Sequence, residues 1–380
     1  MDILAALFLL ILLLAFANGT NDVSKAIATL VGSGVTNYRT AILWGAVWTV
    51  VGASLAAVVA TAMVNTFSKG LLDPGLAVSP SFAFAVVTGA IGWVLFASRT
   101  GLPVSTTHAL TGALVGAGLA AFGARGLLWP ALLGKIALPL LLSPVLALSL
   151  SVLLHPLVRL LAARWEGTCL CLMPTARALV TIDAQGMTRT LIQTTAFGRP
   201  VIDVPARCDR AGLSGLSGLT VGLDSIHWLS SGLASLARGT NDAPKIVAIL
   251  LLSGATTAWD GARMHPLAFA GVALAMGLGS YLGGLRVTEV LAEKVTNMDH
   301  VEGLSANLTT SSLVLVSATL GLPVSTTHVS SSAIVGIGLL KGIRAVQWAT
   351  VRDMVLAWIV TLPAGGLLAG LAYLVLANLL

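Results

Sequence analysis

The octapeptide GLPVSTTH occupies residues 101–108 and recurs without a substitution at residues 321–328. A second pair of stretches has the same spacing of 220 residues: NGTNDVSKAIATLVGSG (18–34) and RGTNDAPKIVAILLLSG (238–254) agree at nine of seventeen positions. Two further matches, Trp129 with Trp348 and Pro144 with Pro363, extend the similarity towards the end of each half. A repeat of this length indicates a chain built from two related halves.

The composition places this repeat in a membrane. Of the 380 residues, 56% are hydrophobic and only 9% are charged, whereas about 25% of a typical soluble domain is charged. Apolar runs about as long as a bilayer span recur throughout. We therefore predict an all-α polytopic membrane protein with about five helical segments in each half, and residues 3–17 as a retained helix, since no basic residue precedes them. The segments are 3–17, 40–63, 82–98, 104–122 and 127–155, then 222–237, 264–285, 306–320, 324–340 and 353–378.

An odd number of spans per half predicts that the two repeats are inverted, because the second half then enters the membrane from the opposite side. With the N-terminus outside, fourteen basic residues are cytoplasmic and three are not, as expected for basic residues in a plasma or inner membrane protein. Both termini are then extracytoplasmic. The cytoplasmic residues are Arg39, Arg99, Arg159, Arg164, Arg177, Arg189, Arg199, Arg207, Arg210, Arg286, Lys294, Lys341, Arg344 and Arg352, and the outer ones are Lys69, Arg125 and Arg263.

A polar, arginine-rich stretch at residues 162–212 separates the halves. Within it, ALVTIDAQGMTRTLIQTT (178–195) resembles two short β-strands around a turn. We predict a first transmembrane repeat at 1–161, a small cytoplasmic insertion and linker with β structure at 162–219, and a second transmembrane repeat at 220–380. The insertion contains three cysteines, Cys169, Cys171 and Cys208. They are compatible with a metal site, but we expect three reduced cytosolic thiols.

The first repeated motif places an aspartate at the end of an apolar run, where a charge costs about 3 kcal/mol unless it is paired or hydrated. A lysine follows three residues later, on the same helical face. A neutral pair that only fixes helix packing is one interpretation. We favour an ion or substrate site, because the asparagine before each aspartate adds an oxygen ligand, and Gly with Pro244 permits a broken or re-entrant helix. The candidate residues are Asn21, Asp22, Lys25, Asn241, Asp242 and Lys245.

The octapeptide has the pattern of a helix N-terminus. Pro103 and Pro323 suit the first turn of a helix, and three hydroxyl residues follow each of them. Free backbone N–H groups, hydroxyl donors and the positive end of a helix dipole together make an oxyanion site. The alternative is that the hydroxyls only satisfy backbone carbonyls between packed helices. The candidate anion-binding residues are Ser105, Thr106, Thr107, Ser325, Thr326 and Thr327.

The histidine that ends each octapeptide has two interpretations. His108 and His328 can take part in proton or coupling-ion transfer, as histidines in membrane helices often do. They can equally be neutral hydrogen-bonding struts that hold the loop in place. The sequence leaves both interpretations open.

The paired G-x-N-D-V/A and P-V-S-T-T-H motifs resemble those of the inorganic phosphate transporter (PiT) family, which includes a sulfate-permease branch. The resemblance covers both halves and nearly all of the chain outside 162–212. It implies a homodimeric secondary transporter in the lipid bilayer that moves inorganic phosphate together with a cation. By position, it assigns the Asn-Asp pairs to ion and phosphate binding and the Ser-Thr-Thr segments to phosphate contacts.

One departure from the family pattern concerns the coupling cation. The family commonly has a second asparagine where this chain has Lys25 and Lys245. An ammonium cannot ligate Na⁺ and would repel it, so we expect H⁺ rather than Na⁺ to be coupled. Fixed positive charge also suits a dianion that never protonates, which leaves a sulfate permease as the alternative to a phosphate symporter.

Other classes of function fit less well. An anion channel would not need two equivalent polar motifs at mid-membrane. An enzyme is not expected, because neither H-E-x-x-H nor G-x-S-x-G occurs and no cysteine lies in an apolar segment. The net charge of +6 does not indicate a nucleic-acid partner, since the position of Lys and Arg relative to the membrane is what matters in such a chain. No cofactor and no metal site are predicted.

Overall fold

The computed structural model describes residues 3–164, 167–173, 176–182, 188–194, 199–204, 220–252 and 261–379. Helices make up most of these ranges and follow the same order in both halves. In the first half they are α1 (Ile3–Asp22), α2 (Ser24–Gly32), α3 (Tyr38–Val59), α4 (Thr61–Lys69), α5 (Pro80–Thr100), α6 (Thr106–Phe122) and α7 (Trp129–Ala162), which contains a π-helical turn at Leu132–Ala137. In the second they are α8 (Leu223–Leu252), α9 (Gly261–Gly283), α10 (Leu285–Glu293), α11 (His300–Thr319), α12 (Thr326–Leu340) and α13 (Trp348–Leu376).

The repeat found in the sequence is also a repeat of structural elements. Helices α1 and α2 together correspond to α8, and α3 to α7 correspond in turn to α9 to α13. Even the turn before the last helix recurs. Trp129 Nε1 donates to the Ala124 carbonyl at 2.8 Å, and Trp348 Nε1 donates to the Ile343 carbonyl at 2.9 Å.

The distribution of side chains is that of a membrane protein. Six helices of the described residues are long and apolar enough to cross a bilayer. Large apolar side chains on them point outwards, as in Val58, Leu141 and Leu153, which are 77%, 72% and 74% exposed. Many hydroxyl, amide and charged side chains are buried instead. The predicted all-α polytopic fold is therefore confirmed.

The octapeptide is a connection between two helices in both halves. Gly101 (φ 76°) and Gly321 (φ 69°) end α5 and α11 in the left-handed conformation that favours glycine. The next three residues belong to no helix or strand, and the serine, which is extended, caps the following helix. The prediction that Pro103 and Pro323 lie in the first turn is wrong by a few residues, because the helix begins only after the serine.

The two aspartate motifs differ in backbone. The first is broken as predicted, since α1 ends at Asp22 and α2 begins at Ser24. The second is not, because α8 continues from Leu223 to Leu252 with Pro244 inside it. Proline has a φ angle that a helix accepts, so it removes one hydrogen bond without ending the helix. The prediction of a broken helix in the second half is therefore wrong.

The two halves pack on each other through close backbone contacts. Helix α1 lies against α9, and α6 lies against α13. A Cβ atom added to Gly116 would be 1.9 Å from the carbonyl oxygen of Gly366, and one added to Gly52 would be 2.0 Å from that of Leu236. Small residues at such crossings let membrane helices approach closely.

The chain divides into two compact units, residues 1–155 with 230–380, and residues 156–229. The second unit contains β1 (Cys169–Met173), β2 (Ala176–Ile182), β3 (Thr188–Thr194), β4 (Arg199–Asp203) and β5 (Thr220–Val221). Strands β4, β1 and β5 form one antiparallel sheet, and β2 pairs with β3 in another. The predicted pair of strands in 178–195 is thus confirmed, although its turn lies outside the described residues.

One expectation for this unit is wrong. Cys169 is disulfide-bonded and is therefore not a free thiol. We expected free thiols because the charge distribution assigned the insertion to the reducing cytoplasm. That argument does not consider whether two cysteines lie close enough to form a bond. Cys208 lies outside the described residues, and so does the side chain of Cys171.

Candidate oxyanion site

The two aspartate–lysine pairs are buried in the middle of the helical unit. Asp22, Lys25, Asp242 and Lys245 are each no more than 2% exposed. Asp22 ends α1 and Lys25 lies in the first turn of α2, whereas Asp242 and Lys245 lie within the continuous α8. In both cases the lysine reaches back to the carboxylate three residues earlier. Buried charges are stable only when they are paired and hydrogen-bonded.

The Lys25 ammonium is surrounded by oxygen atoms. Its Nζ contacts the Asp22 carboxylate and donates to Asn21 Oδ1 at 2.8 Å and to the Val104 carbonyl at 3.1 Å. An ammonium has three donors, so this set satisfies all of them. A carboxylate, an amide oxygen and a backbone carbonyl are also ligands that a hard cation takes in proteins.

The Lys245 ammonium has an equivalent environment. Its Nζ donates to Asp242 Oδ1 at 3.2 Å, to Thr107 Oγ1 at 2.7 Å and to the Val324 carbonyl at 3.3 Å. Val104 and Val324 occupy the same position in the two octapeptides. Each lysine therefore links the aspartate motif of its own half to the octapeptide of that half.

The N-termini of α6 and α12 meet at this cluster. Ser105 Oγ accepts from the His108 N–H at 3.2 Å, and Ser325 Oγ accepts from the His328 N–H at 3.1 Å. These are N-cap bonds, so the prediction of a helix N-terminus at each octapeptide is confirmed. The serine hydroxyl is thereby engaged in capping, so the remaining donors of the predicted anion site are the buried threonine hydroxyls and the first backbone N–H groups of each helix.

The threonines connect the two octapeptides to each other. Thr107 Oγ1 donates to the Val324 carbonyl at 3.4 Å, and Thr327 Oγ1 donates to the Val104 carbonyl at 2.7 Å. This exchange is reciprocal and holds the two helix N-termini side by side. Two positive helix ends brought together without an anion would repel each other.

An aspartate provides that anion. Thr106 Oγ1 and Thr326 Oγ1 each donate to Asp22 Oδ2 at 3.4 Å. Asn18 Nδ2 donates to the same oxygen at 3.1 Å and to Asp242 Oδ2 at 3.2 Å. The two threonine bonds are long for O–H···O contacts. The Asp22 carboxylate thus lies loosely between hydroxyls that belong to both halves.

The asparagines before each aspartate hold the octapeptide backbone. Asn21 Nδ2 donates to the Leu102 carbonyl at 3.0 Å, and its Oδ1 accepts from the Val104 N–H at 3.2 Å. Asn241 Nδ2 donates to Asp242 Oδ1 at 2.9 Å and to the Val324 carbonyl at 3.3 Å. Their amides therefore position the two loops as well as contributing oxygen atoms.

The two predicted histidines form a pair. The ring centroids of His108 and His328 are 4.6 Å apart, and the His328 ring lies 4.1 Å from that of Trp358. His328 Nδ1 is 3.3 Å from the Leu140 carbonyl, while His108 Nδ1 and His328 Nε2 have no hydrogen-bond partner among the described residues. The rings line an apolar cavity of about 650 Å³ beside α13.

Sequence reasoning missed two residues of the cluster. Asn18 bridges the carboxylates of Asp22 and Asp242. Arg238 is 1% exposed and lies close enough to both aspartates to interact with them electrostatically. These two residues occupy equivalent positions, at the start of the two repeated stretches. They were missed because the two halves were compared for identical residues, and at this position the residues differ.

Comparison with known proteins gives a consistent result. Residues 18–369 match the sequence profile of the phosphate transporter family. A Bacillus subtilis protein, named as a low-affinity inorganic phosphate transporter, is 31% identical over 99% of both chains. A Rhizobium meliloti protein with the same name is 30% identical over 98% of this chain and 96% of its own. The fold matches a solved structure described as the sodium-dependent phosphate transporter with a TM-score of 0.77 and 22% identity, covering 100% of both chains.

Proposed function

Because the chain belongs to the phosphate transporter family, we propose that it is a secondary active symporter that carries inorganic phosphate together with protons. The observation that carries this proposal is the meeting of two helix N-termini at a buried cluster of charges. Ser105 and Ser325 cap these helices, and the threonines after them face the Asp22 carboxylate. Backbone N–H groups, hydroxyls and dipole ends are what a tetrahedral oxyanion requires.

An incoming oxyanion would compete with Asp22 for these donors. The carboxylate and a phosphate oxygen both accept hydrogen bonds, and the 3.4 Å contacts from Thr106 and Thr326 are weak enough to exchange. Once displaced, the Asp22 carboxylate would face a second negative charge in a buried site. A nearby like charge favours the neutral form of a carboxyl group, so the anion would enter with a proton.

The environment of the lysines supports coupling to H⁺ rather than Na⁺. Lys25 and Lys245 each place an ammonium among three oxygen acceptors. A sodium ion would need the same oxygens, and a fixed positive charge already occupies their centre. The aspartates that Na⁺ would neutralise are therefore already paired.

Sulfate is the second candidate. The ammonium groups, each paired with an aspartate, place positive charge beside the site, which suits an anion that stays doubly charged. Phosphate and sulfate have the same tetrahedral arrangement of oxygens, so the hydroxyls of Thr106, Thr107, Thr326 and Thr327 fit both. Phosphate remains first because the relatives named above are phosphate transporters.

The arrangement in the membrane is part of the proposal. We infer two inverted repeats, 1–161 and 220–380, in a homodimer in the plasma or inner membrane. The termini would be extracytoplasmic and the insertion at 162–219 cytoplasmic. The charge distribution supports this orientation. The disulfide at Cys169 favours the opposite orientation, since disulfides are typical of oxidising compartments.

Uptake into proteoliposomes tests the function directly. Labelled phosphate and labelled sulfate are offered with Na⁺ and pH gradients imposed separately. We expect phosphate to accumulate against its gradient when the outside is more acidic, with no requirement for Na⁺. Accumulation distinguishes a carrier from an anion channel, which only equilibrates its ion. Uptake that occurs only with Na⁺ would disprove the proposed coupling.

A pair of variants separates coupling from binding. Asp22→Asn keeps the shape of the side chain and removes the group that would take up the proton. We expect it to lose proton-driven accumulation and to retain exchange of internal for external phosphate at equal pH. Asp242→Asn is the matched control, because among the described residues the hydroxyls of Thr106 and Thr326 donate to Asp22 and not to Asp242. Equal effects of both substitutions on accumulation would contradict the role assigned to Asp22.

A further inference from the structure

Arg238 is the largest fully buried side chain among the described residues. Its Nη2 donates to Ser280 Oγ at 3.2 Å and contacts Thr49 Oγ1, but its Nε and Nη1 have no hydrogen-bond partner in the part of the chain that the structure describes. A buried charged group with unused donors is costly, and an arginine near the middle of a membrane helix is costly in itself. Two free donors on a buried cation indicate that something else binds there.

The charges of the cluster do not cancel. Lys25 pairs with Asp22 and Lys245 pairs with Asp242. Arg238 interacts with both carboxylates but has no carboxylate of its own. Three positive and two negative groups leave one excess positive charge. The other titratable groups that face the cluster are the imidazoles of His108, which interacts with Lys245, and of His328, which interacts with Lys25.

We propose that Arg238 is the specificity-determining residue that supplies this excess charge, so that the site binds an oxyanion with one net negative charge. A dianion would then enter with one proton, which binds to the Asp22 carboxylate as the anion takes over the hydroxyls of Thr106 and Thr326. Dihydrogen phosphate would enter alone, because it already carries that proton. Without Arg238 the empty site would be neutral, and a dianion would need two protons. This inference rests on the proposed function.

Counting protons per bound anion tests the inference. Sulfate is the probe, because it stays a dianion over the neutral pH range. Its dissociation constant is measured at several pH values in Na⁺-free detergent solution, together with proton uptake in weakly buffered medium. We expect the native protein to take up one proton per sulfate, one per hydrogen phosphate at alkaline pH, and none with phosphate at acidic pH. A count of zero or two for sulfate on the native protein would overturn the charge balance.

Two variants identify the residue. Arg238→Asn introduces the residue found at the equivalent position, Asn18, and should weaken sulfate binding at neutral pH by about 10- to 100-fold and raise the count towards two protons. Arg238→Lys keeps the charge and should keep the count at one. Thr49→Val removes a neighbour of Arg238 without changing charge, and should also keep one proton per sulfate.

The outcomes separate this inference from the proposed function. If the native protein binds neither phosphate nor sulfate, the proposed function fails. If it binds an anion and Arg238→Asn shows the native affinity and proton count, only the role of Arg238 fails, and the residue is structural. If Arg238→Asn does not fold, the number of protons taken up per sulfate is compared in the native protein and in Arg238→Lys. A number other than one in either protein overturns the inference.

Discussion

Replacing Lys25 by asparagine tests whether the lysine takes the place of a coupling cation. The substitution removes an ammonium that contacts the Asp22 carboxylate and donates to two further oxygens, Asn21 Oδ1 and the Val104 carbonyl. Removing one partner of a buried ion pair costs about 3–5 kcal/mol, because the other charge stays buried without compensation. The oxygens that the ammonium held would then be free to ligate Na⁺.

Sodium should return part of the lost stability to the variant. A ligand that binds only the folded protein stabilises it by about 2.7 kcal/mol at a concentration of 100 times its Kd. We therefore expect Lys25→Asn to be less stable than the native protein in choline buffer and to recover by about half of the loss in saturating Na⁺. Thermal unfolding in detergent, followed by tryptophan fluorescence at constant ionic strength, measures this difference. The native protein should show no dependence on Na⁺.

Lys341→Asn is the matched control for this experiment. Lys341 also forms an ion pair, with Glu302 at 3.0 Å, but its side chain is 35% exposed. Glu302 keeps its hydrogen bond from the Asp299 N–H when Lys341 is replaced, so this variant should lose less stability than Lys25→Asn and gain nothing from Na⁺. The reasoning is refuted if Lys25→Asn ignores Na⁺ while the native protein is stabilised by it. In that case Na⁺ binds beside the lysine and not in its place.

Three further predictions concern the loops, the packing and the orientation. Ser105→Ala should destabilise the protein by about 1 kcal/mol through loss of the N-cap, seen in the unfolding assay, and should weaken anion binding through the disturbed helix end; unchanged stability would contradict the capping role. Gly116→Ala should prevent close approach of α6 to α13 and lower the yield of folded protein in size-exclusion chromatography, whereas Gly134→Ala, where an added Cβ meets no atom within 4 Å, should behave as native. Cysteines placed at Lys69 and at Arg177, with the native cysteines replaced, should react with a membrane-impermeant reagent from opposite sides, and labelling of both from one side would disprove the proposed orientation.

The general architecture could be predicted because it rests on composition and repetition. The apolar segments predicted the long helices, with ends close to those observed except in α1 and α8, which continue into the aspartate motifs as far as Asp22 and Leu252. The matched motifs predicted the repeated order of elements. The family predicted from the motifs is confirmed, and with it a transporter rather than an enzyme. The connection at each octapeptide was predicted as a helix N-terminus, but Gly101 also ends the helix before it. Ending the helix requires a positive φ angle at this glycine. A glycine in the sequence allows that angle but does not by itself predict it.

The remaining errors have local physical causes. Pro244 suggested a break, but the helix around it is supported by neighbouring helices, and one missing N–H does not outweigh that packing. Cys169 was expected to be a free thiol because compartment was inferred from charge alone. Lys25 and Lys245 were correctly placed beside their aspartates, since a spacing of three residues fixes that contact even across the break at Val23.

The difference between the halves carries as much information as their similarity. Identical residues build the shared framework: the caps, the reciprocal threonine bonds and the paired lysines. At the position that differs, Asn18 bridges the two carboxylates, whereas Arg238 donates to Ser280 and acts on the carboxylates through its charge. A strictly symmetric cluster of paired charges would be neutral, and only the helix N-termini and the hydroxyls would then favour an anion. Because one half has arginine where the other has asparagine, the symmetric framework has an excess positive charge, and a proton that enters with a dianion has a reason to bind to Asp22.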